Sequence, residues 1–450
     1  MKKWIGIFVL LFLFVSVIGC SNGGDTINHT EDEPQVIKIM GQWWDEQFFY
    51  EQFGNYYMFQ HPNVEFEVIS INNLYEKVDE EEIEFEEALH QLIIEEQPDV
   101  FILQQDELFS DLAANNHLMD LSTLITDTEF DIENINENII EFVKTMGGGT
   151  LYGLPTSFDN EALFYNKSLF DTYNIPYPTD YMTWEQLLSL SKQFSNVEGE
   201  KVYGLQMGGN DSLYNLIRDI GKTNTLSVAD AANQNITIDT KSWYEVFSLA
   251  YDAYLSGSLY FPNENKEEGD RNFFKVGKSA MMLKKYTSID NLMQSKETPI
   301  NFDMVTAPVH SELNHLGGKF EIEDIISIHS ASQNVEAAWE FVQFINGDEL
   351  ARVKSKSIRT LLARSSYMES AYPTMNISAF YSLAPLPYNE NDNHMSYPTE
   401  FLSAFYGMSV KEVEALVNNE QSVKQTLQAI QARGEKLLKE TAAMDEEQPN

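Results

Sequence analysis

Two adjacent tryptophans, Trp43 and Trp44, follow directly on a run of residues patterned as a β-strand, and the trio Gln104, Gln105 and Asp106 follows another. Flat indole faces stack on apolar C–H surfaces, while side-chain amides and carboxylates grip paired hydroxyls. Rings beside planar polar groups are therefore equipped to hold a polyhydroxylated solute without making or breaking a bond. The residues for other chemistries lack the spacing those chemistries need. None of the eight histidines belongs to an HExxH pair, and His310 and His315 fall in an expected loop, so no metal site is expected. The segment DTEFDIEN from Asp127 opens like a calcium loop but has no glycine at its sixth position. Gly208-Gly209-Asn210 lacks the spacing of a phosphate loop or dinucleotide fingerprint and reads as a turn, and no GxSxG segment occurs. Neither a cofactor nor a catalytic residue is expected.

Cys20 is the only cysteine in the 450 residues, which excludes disulfides and zinc–cysteine sites. It ends an apolar stretch, Trp4 to Gly19, preceded by Lys2 and Lys3, in the layout of an export signal. As a helix this stretch covers only about 24 Å, short of the roughly 30 Å hydrocarbon core of a membrane. The residues Val17-Ile18-Gly19 resemble the lipobox of bacterial lipoproteins, in which the cysteine thiol takes a diacylglycerol and the chain is cut before it. The expectation is a signal peptide over 1–19, then a lipidated Cys20 and a flexible tether over 20–35. The net charge of −41 repels nucleic acid and anionic membrane surfaces. With 43% hydrophobic and 12% aromatic residues the chain is too apolar to be disordered, and it is larger than one compact core.

The elements that must position the candidate residues are legible from periodicity. VIKIM (36–40) and VEFEV (64–68) read as strands, and VFIL (100–103) as a fully buried one. Between them, Phe49, Phe53, Tyr56 and Tyr57, then Phe85, Leu89, Leu92 and Ile93, form helical stripes. This βαβαβ start predicts a parallel sheet with ligands beyond the carboxyl ends of its strands. Farther on, Thr183 with Gln186 and Ser409 with Glu412 have capping-box spacing and predict helix starts. Gly347 is expected to end the helix carrying Val335, Ala338, Trp339, Val342 and Ile345. A last helix is expected from about Ser422 to Lys439.

Four segments in order resemble the family 1 extracellular solute-binding proteins, the maltose-binding group. They are PDVFILQQDELFSDLAANNHLMDLSTLI from Pro98, LYGLPTSFDNEALFYNKSLFDTY from Leu151, MTWEQLLSLSKQF from Met182, and FFKVGKSAMML from Phe273 joined to AAWEFVQFI from Ala337. The Gly-x-Pro turn before a strand ending in Tyr-Asn-Lys is the most specific of them, and the likeness covers most of residues 36 to 440. The resemblance implies a two-lobed α/β fold of the type 2 periplasmic-binding-protein class, with hinge strands between the lobes and a ligand cleft. It places the chain's crossings near Ser157 to Asn160, His310 to Phe320 and Thr360 to Ser366. Lobe 1 is then 36–157 plus 318–362, and lobe 2 is 158–317 plus 363–450. The sequence departs from the family pattern in two places. KFEIED follows Gly317-Gly318 and sets Glu321, Glu323 and Asp324 near a hinge, and LLARSS at the third crossing lacks a proline.

On this resemblance, Phe158, Asp159 and Asn160 at the first crossing, Tyr286 after the strand AMML, and Lys319 at the second crossing join Trp43, Trp44, Gln104, Gln105 and Asp106 as ligand-binding candidates. The implied protein is a monomer, anchored through Cys20 on the extracytoplasmic face of the cell membrane. It captures a small molecule, foremost an oligosaccharide, for the permease of an ABC importer. Asp45, Asp106 and Asp159 keep a cationic solute such as a polyamine open as an alternative. An extracellular carbohydrate-active enzyme and a ligand sensor are the rivals from other classes.

Overall fold

The computed structural model describes residues 34–43, 45–75, 78, 83–104, 106–208, 212–230, 235–262, 272–293, 300–356, 360–386, 397 and 399–447. The expected signal peptide, Cys20 and most of the tether lie outside the described residues. Two five-stranded sheets dominate. The first contains β1 (Gln35–Gly41), β2 (Val64–Ser70), β3 (Val100–Leu103), β4 (Gly153–Pro155) and β14 (Ile325–Ile328) in the order β2-β1-β3-β14-β4. β1 runs parallel to both β2 and β3, as the βαβαβ reading requires, and β14 returns antiparallel against β3 and β4. All four residues of VFIL are buried, because a central strand is covered on both faces.

The second sheet contains β6 (Glu161–Asn166), β7 (Tyr203–Gln206), β10 (Leu259–Tyr260), β11 (Ser279–Lys285) and β12 (Phe302–Thr306) in the order β10-β7-β11-β6-β12. Between the sheets lies a three-stranded antiparallel sheet made from β5 (Ser157–Asp159), β13 (Glu321–Ile322) and β15 (Leu361–Leu362), one strand at each passage of the chain. A small ladder of β8 (Ala229–Asp230) and β9 (Asn235–Ile236) completes the strands among the described residues.

Each large sheet has its own core. Ile37, Ile39, Phe101 and Ile102 pack with Phe341 and Val342 in the first, and Leu163, Leu205 and Met281 pack with Leu187, Ile217, Phe247 and Ile430 in the second. Burying each such side chain contributes about 1.5–3 kcal/mol, so both lobes are held mainly by these cores. Residues 363–381 tie the two together. Met368, Ile377, Phe380 and Tyr381 join the first core, and Phe380 meets both Phe164 of β6 and Tyr286 just after β11.

The Thr183–Gln186 capping box forms as expected, with both reciprocal bonds. Two local expectations are corrected. Ser409 and Glu412 do not start a helix; they lie inside Thr399–Val417, because buried Phe401, Phe405, Val413 and Leu416 carry the apolar stripe through them. As expected, the helix Val335–Ile345 stops just before Gly347, although that glycine is not left-handed. At φ −79° it is the N-cap of the next helix, Asp348–Lys354, and Asn346 ends the one before. Tyr56 is 37% exposed, since the helix carrying Phe49, Phe53 and Tyr57 is interrupted by a π-helical turn at Tyr50–Gly54 that rotates the stripe.

Candidate ligand-binding cleft

The carboxyl ends of the parallel strands in both large sheets meet the hinge sheet. After β3, the Gln104 amide N–H donates to Gln42 Oε1 at 2.9 Å, and Gln104 Nε2 donates to Asp324 Oδ1 at 3.2 Å. Asp324 directly precedes β14, two residues after β13. From the other sheet, Lys285 at the end of β11 reaches Asp159 Oδ2 of β5 at 3.4 Å and also pairs with Glu321 of β13. The hinge is thus a polar floor shared by both lobes.

Its charges are packed closely enough to perturb one another. Burial pushes Glu323 up to about 7, and the neighbouring Asp324 and Asp159 add to the shift. Burial likewise raises Asp324, which the bond from Gln104 offsets, and raises Asp159 in spite of Lys285. Lys354 is 9% exposed, with its Nζ 4.2 Å from the centre of the Phe53 ring, and burial draws it down to about 8 against the pull of Asp324 and Glu323. Among the described residues no group of His, Asp and Glu side chains is arranged to hold a metal ion.

Several residues expected to face a ligand are enclosed. Trp43 is 2% exposed, with its ring lying over Gly41, where a Cβ would come within 2.6 Å of the indole, and 5.3 Å from Phe49. Phe158 is fully buried between Phe320 and Tyr381. Asn160 is fully buried too. Its Oδ1 accepts from the Glu161 and Lys319 amides at 2.8 and 3.0 Å, and its Nδ2 donates to the Phe380 carbonyl at 2.8 Å, so the side chain ties the first crossing to the second and to the segment after the third. Gly318, at φ +78°, is required there because a Cβ would sit 2.5 Å from Asn160 Oδ1. Tyr286 is covered by residues 363–381. Its hydroxyl lies 3.2 Å from that of Tyr372, and its ring meets Phe380 edge-on.

Gln104 and Lys319 remain accessible, and Asp159 lies at the floor. Trp44 and Gln105 lie outside the described residues. So does the side chain of Asp106, which opens the helix Asp106–Ala114.

Beside the hinge, on the second lobe, a cavity of about 290 Å³ opens between the helices Leu213–Thr223 and Thr399–Val417. Trp243, Tyr397, Phe401 and Phe405 line its apolar side as part of the second core, each no more than 5% exposed, and Tyr397, Phe401 and Phe405 follow one another at 5.4 and 5.6 Å between ring centres. Opposite stand Asn215, Arg218, Asp219 and Lys222, at i, i+3, i+4 and i+7 and so on one face of their helix, while Lys319 closes the hinge side. The helix is fixed by a reciprocal cap between Ser212 and Asn215, and Asn215 Oδ1 also accepts from the Tyr406 hydroxyl at 2.9 Å. Reading from strand ends missed this group. The signal was an i, i+4, i+8 aromatic spacing, Tyr397, Phe401 and Phe405, facing the polar stripe of another helix.

Residues 42–351 match the family of bacterial extracellular solute-binding proteins. The chain belongs to that family. A binding protein of Brucella abortus is 26% identical over 203 residues, and the match spans about half of either chain (44% of this one and 47% of the relative). Among solved structures, a Listeria monocytogenes ABC substrate-binding protein in complex with cycloalternan is 20% identical, with TM-score 0.55 over 91% of this chain and 99% of that one. A Rhizobium etli sugar transporter in an open conformation is also 20% identical, with TM-score 0.62 over 89% and 99%. The Xanthomonas citri sugar-binding protein MalE is 15% identical, with TM-score 0.62 over 92% and 100%. At these identities the structures establish the two-lobed periplasmic-binding fold. By its family the chain is a solute-binding protein rather than an enzyme. Among the described residues no helix is long and apolar enough to cross a membrane.

Proposed function

We propose that this chain captures an oligosaccharide between its lobes and presents it to the permease of an ABC importer, held at the extracytoplasmic face of the membrane by lipid on Cys20. The observation that carries the saccharide reading is the cavity beside the hinge, where an amide, a carboxylate and cations share one accessible helix face. Such a set of planar donors and acceptors suits a rim of hydroxyls. Solved relatives hold cycloalternan and, in a Streptomyces receptor of 18% identity, acarbose. In our reading, lobe 1 comprises 36–157 plus 318–362 and lobe 2 comprises 158–317 plus 363–450. A solute touching both favours the closed state because only closure supplies contacts from both sides.

A cationic solute is less well served. Asp45 is spent as a helix cap, accepting from the Phe48 amide at 3.1 Å, and Asp159 is spent on Lys285 and the Asn160 amide. Thermal-shift titration with linear and cyclic oligosaccharides, polyamines and peptides tests the reading. A saccharide at 100 times its dissociation constant adds about 2.7 kcal/mol of stability. A response to polyamines alone would overturn it. Anchoring is tested separately by labelled fatty acid, which should enter the wild-type chain and not the Cys20→Ser variant.

A further inference from the structure

The chain carries 70 acidic residues against 29 basic ones. Against that background the walls of the hinge-side cavity are inverted in charge, with Arg218, Lys222 and Lys319 facing one carboxylate, Asp219. Lys319 is already engaged, with its Nζ 3.0 Å from Asp219 and 3.5 Å from Glu161. The other two are not. Among the described residues neither Arg218 nor Lys222 has a carboxylate within ion-pair distance. The two stand four residues apart on the same exposed helix face. The Arg218 guanidinium carbon lies 5.9 Å from the centre of the Tyr406 ring, whose hydroxyl is anchored on Asn215. A planar fork resting beside an aromatic face is preorganised to take two oxygens of an anion in its plane.

We infer that the captured saccharide is anionic, with its negative group held at Arg218 and Lys222. The inference rests on the saccharide reading above and sharpens it. A neutral sugar needs no cations. For a chain of net charge −41, whose overall field opposes the approach of any anion, such a solute requires a local pair of uncompensated positive charges. A uronate carboxylate and a sugar phosphate present the same chemistry to this pair, and the probes separate them.

Calorimetric titration of the mature chain should compare oligogalacturonides with the same oligomers after reduction of each carboxylate to a primary alcohol, alongside maltooligosaccharides, glucose 6-phosphate and inorganic phosphate. The acid form should bind at least tenfold more tightly than its reduced counterpart. In Arg218→Gln and Lys222→Gln, both on an exposed face and checked for unchanged melting, that ratio should fall toward one. A preference for the phosphorylated sugar with the same dependence on both residues supports the inference and assigns the anion as phosphate. Equal or tighter binding of neutral sugars, or an acid preference that survives both substitutions, overturns it while leaving oligosaccharide capture in place. Binding of no saccharide, charged or neutral, overturns that broader reading and this inference with it.

Discussion

The hinge floor and the hinge-side cavity are both polar and lie side by side, joined through Lys319, yet they use their charges in opposite ways. At the floor each polar group is turned inward: Gln104 on Gln42 and Asp324, Lys285 on Asp159 and Glu321, Asn160 on three backbone groups. In the cavity Arg218 and Lys222 project with no carboxylate at ion-pair distance among the described residues. Polar groups inside a pivot must be satisfied by one another in a fixed geometry, since a buried unpaired group costs about 1–3 kcal/mol. Groups that meet a solute must stay unsatisfied by protein. Mutations should therefore show stability effects at the floor and affinity effects in the cavity.

The largest expected effect is at Trp43. Trp43→Ala should lower the unfolding free energy of the unliganded protein by about 3–5 kcal/mol, the cost of emptying a packed aromatic site. Urea denaturation measures it. Unchanged stability with lost affinity would move this ring from the floor to the ligand and break the division between the regions. Asn160→Ala comes next, at about 2–4 kcal/mol, because it leaves the Phe380 carbonyl and the Glu161 and Lys319 amides without their partner in a buried place. For the cavity the sign of the contrast reverses. Arg218 lines the cavity from an exposed helix face, so Arg218→Gln should change apo stability by less than about 0.5 kcal/mol while weakening saccharide binding by about 1–2 kcal/mol, read by calorimetry.

The same contrast explains what could be read before the fold was known. The β1–β3 frame was legible because buried strands must be apolar in period two or in unbroken runs, and VFIL ends where its burial ends. The first and third hinge strands fall within the crossings that the family resemblance implies, whereas the second, β13, lies just beyond His310–Phe320. Capping spacing misled at Ser409, where a helix already ten residues old runs through the motif, whereas Gly347 marked a helix end that the structure shows. Ligand-facing positions were hardest. Whether Tyr286 is open depends on residues 363–381, which lie far along the chain, and the cavity joins side chains from residues 215 to 405 that no local period connects.

The smallest effect, and the one that most directly separates the two regions, is a pH dependence at Glu323. Its ordinary value of 4.5 is raised to about 7 in the folded chain. Between those values the native state holds a proton that the unfolded chain has released. Stability contributed by this group is therefore fully present below pH 4.5 and is lost as pH rises through about 7. Glu323→Gln, which imitates the protonated form, should flatten that part of the stability curve. At pH 8 it should make the variant more stable than the wild type by about 1 kcal/mol or less, since solvent screens a partly exposed group. Chemical denaturation between pH 4 and 8 is the measurement. Arg218→Gln, in the cavity, should reproduce the wild-type slope over the same range. If the two variants flattened the curve equally, the charges of floor and cavity would form one coupled network, and the division drawn between them would fail.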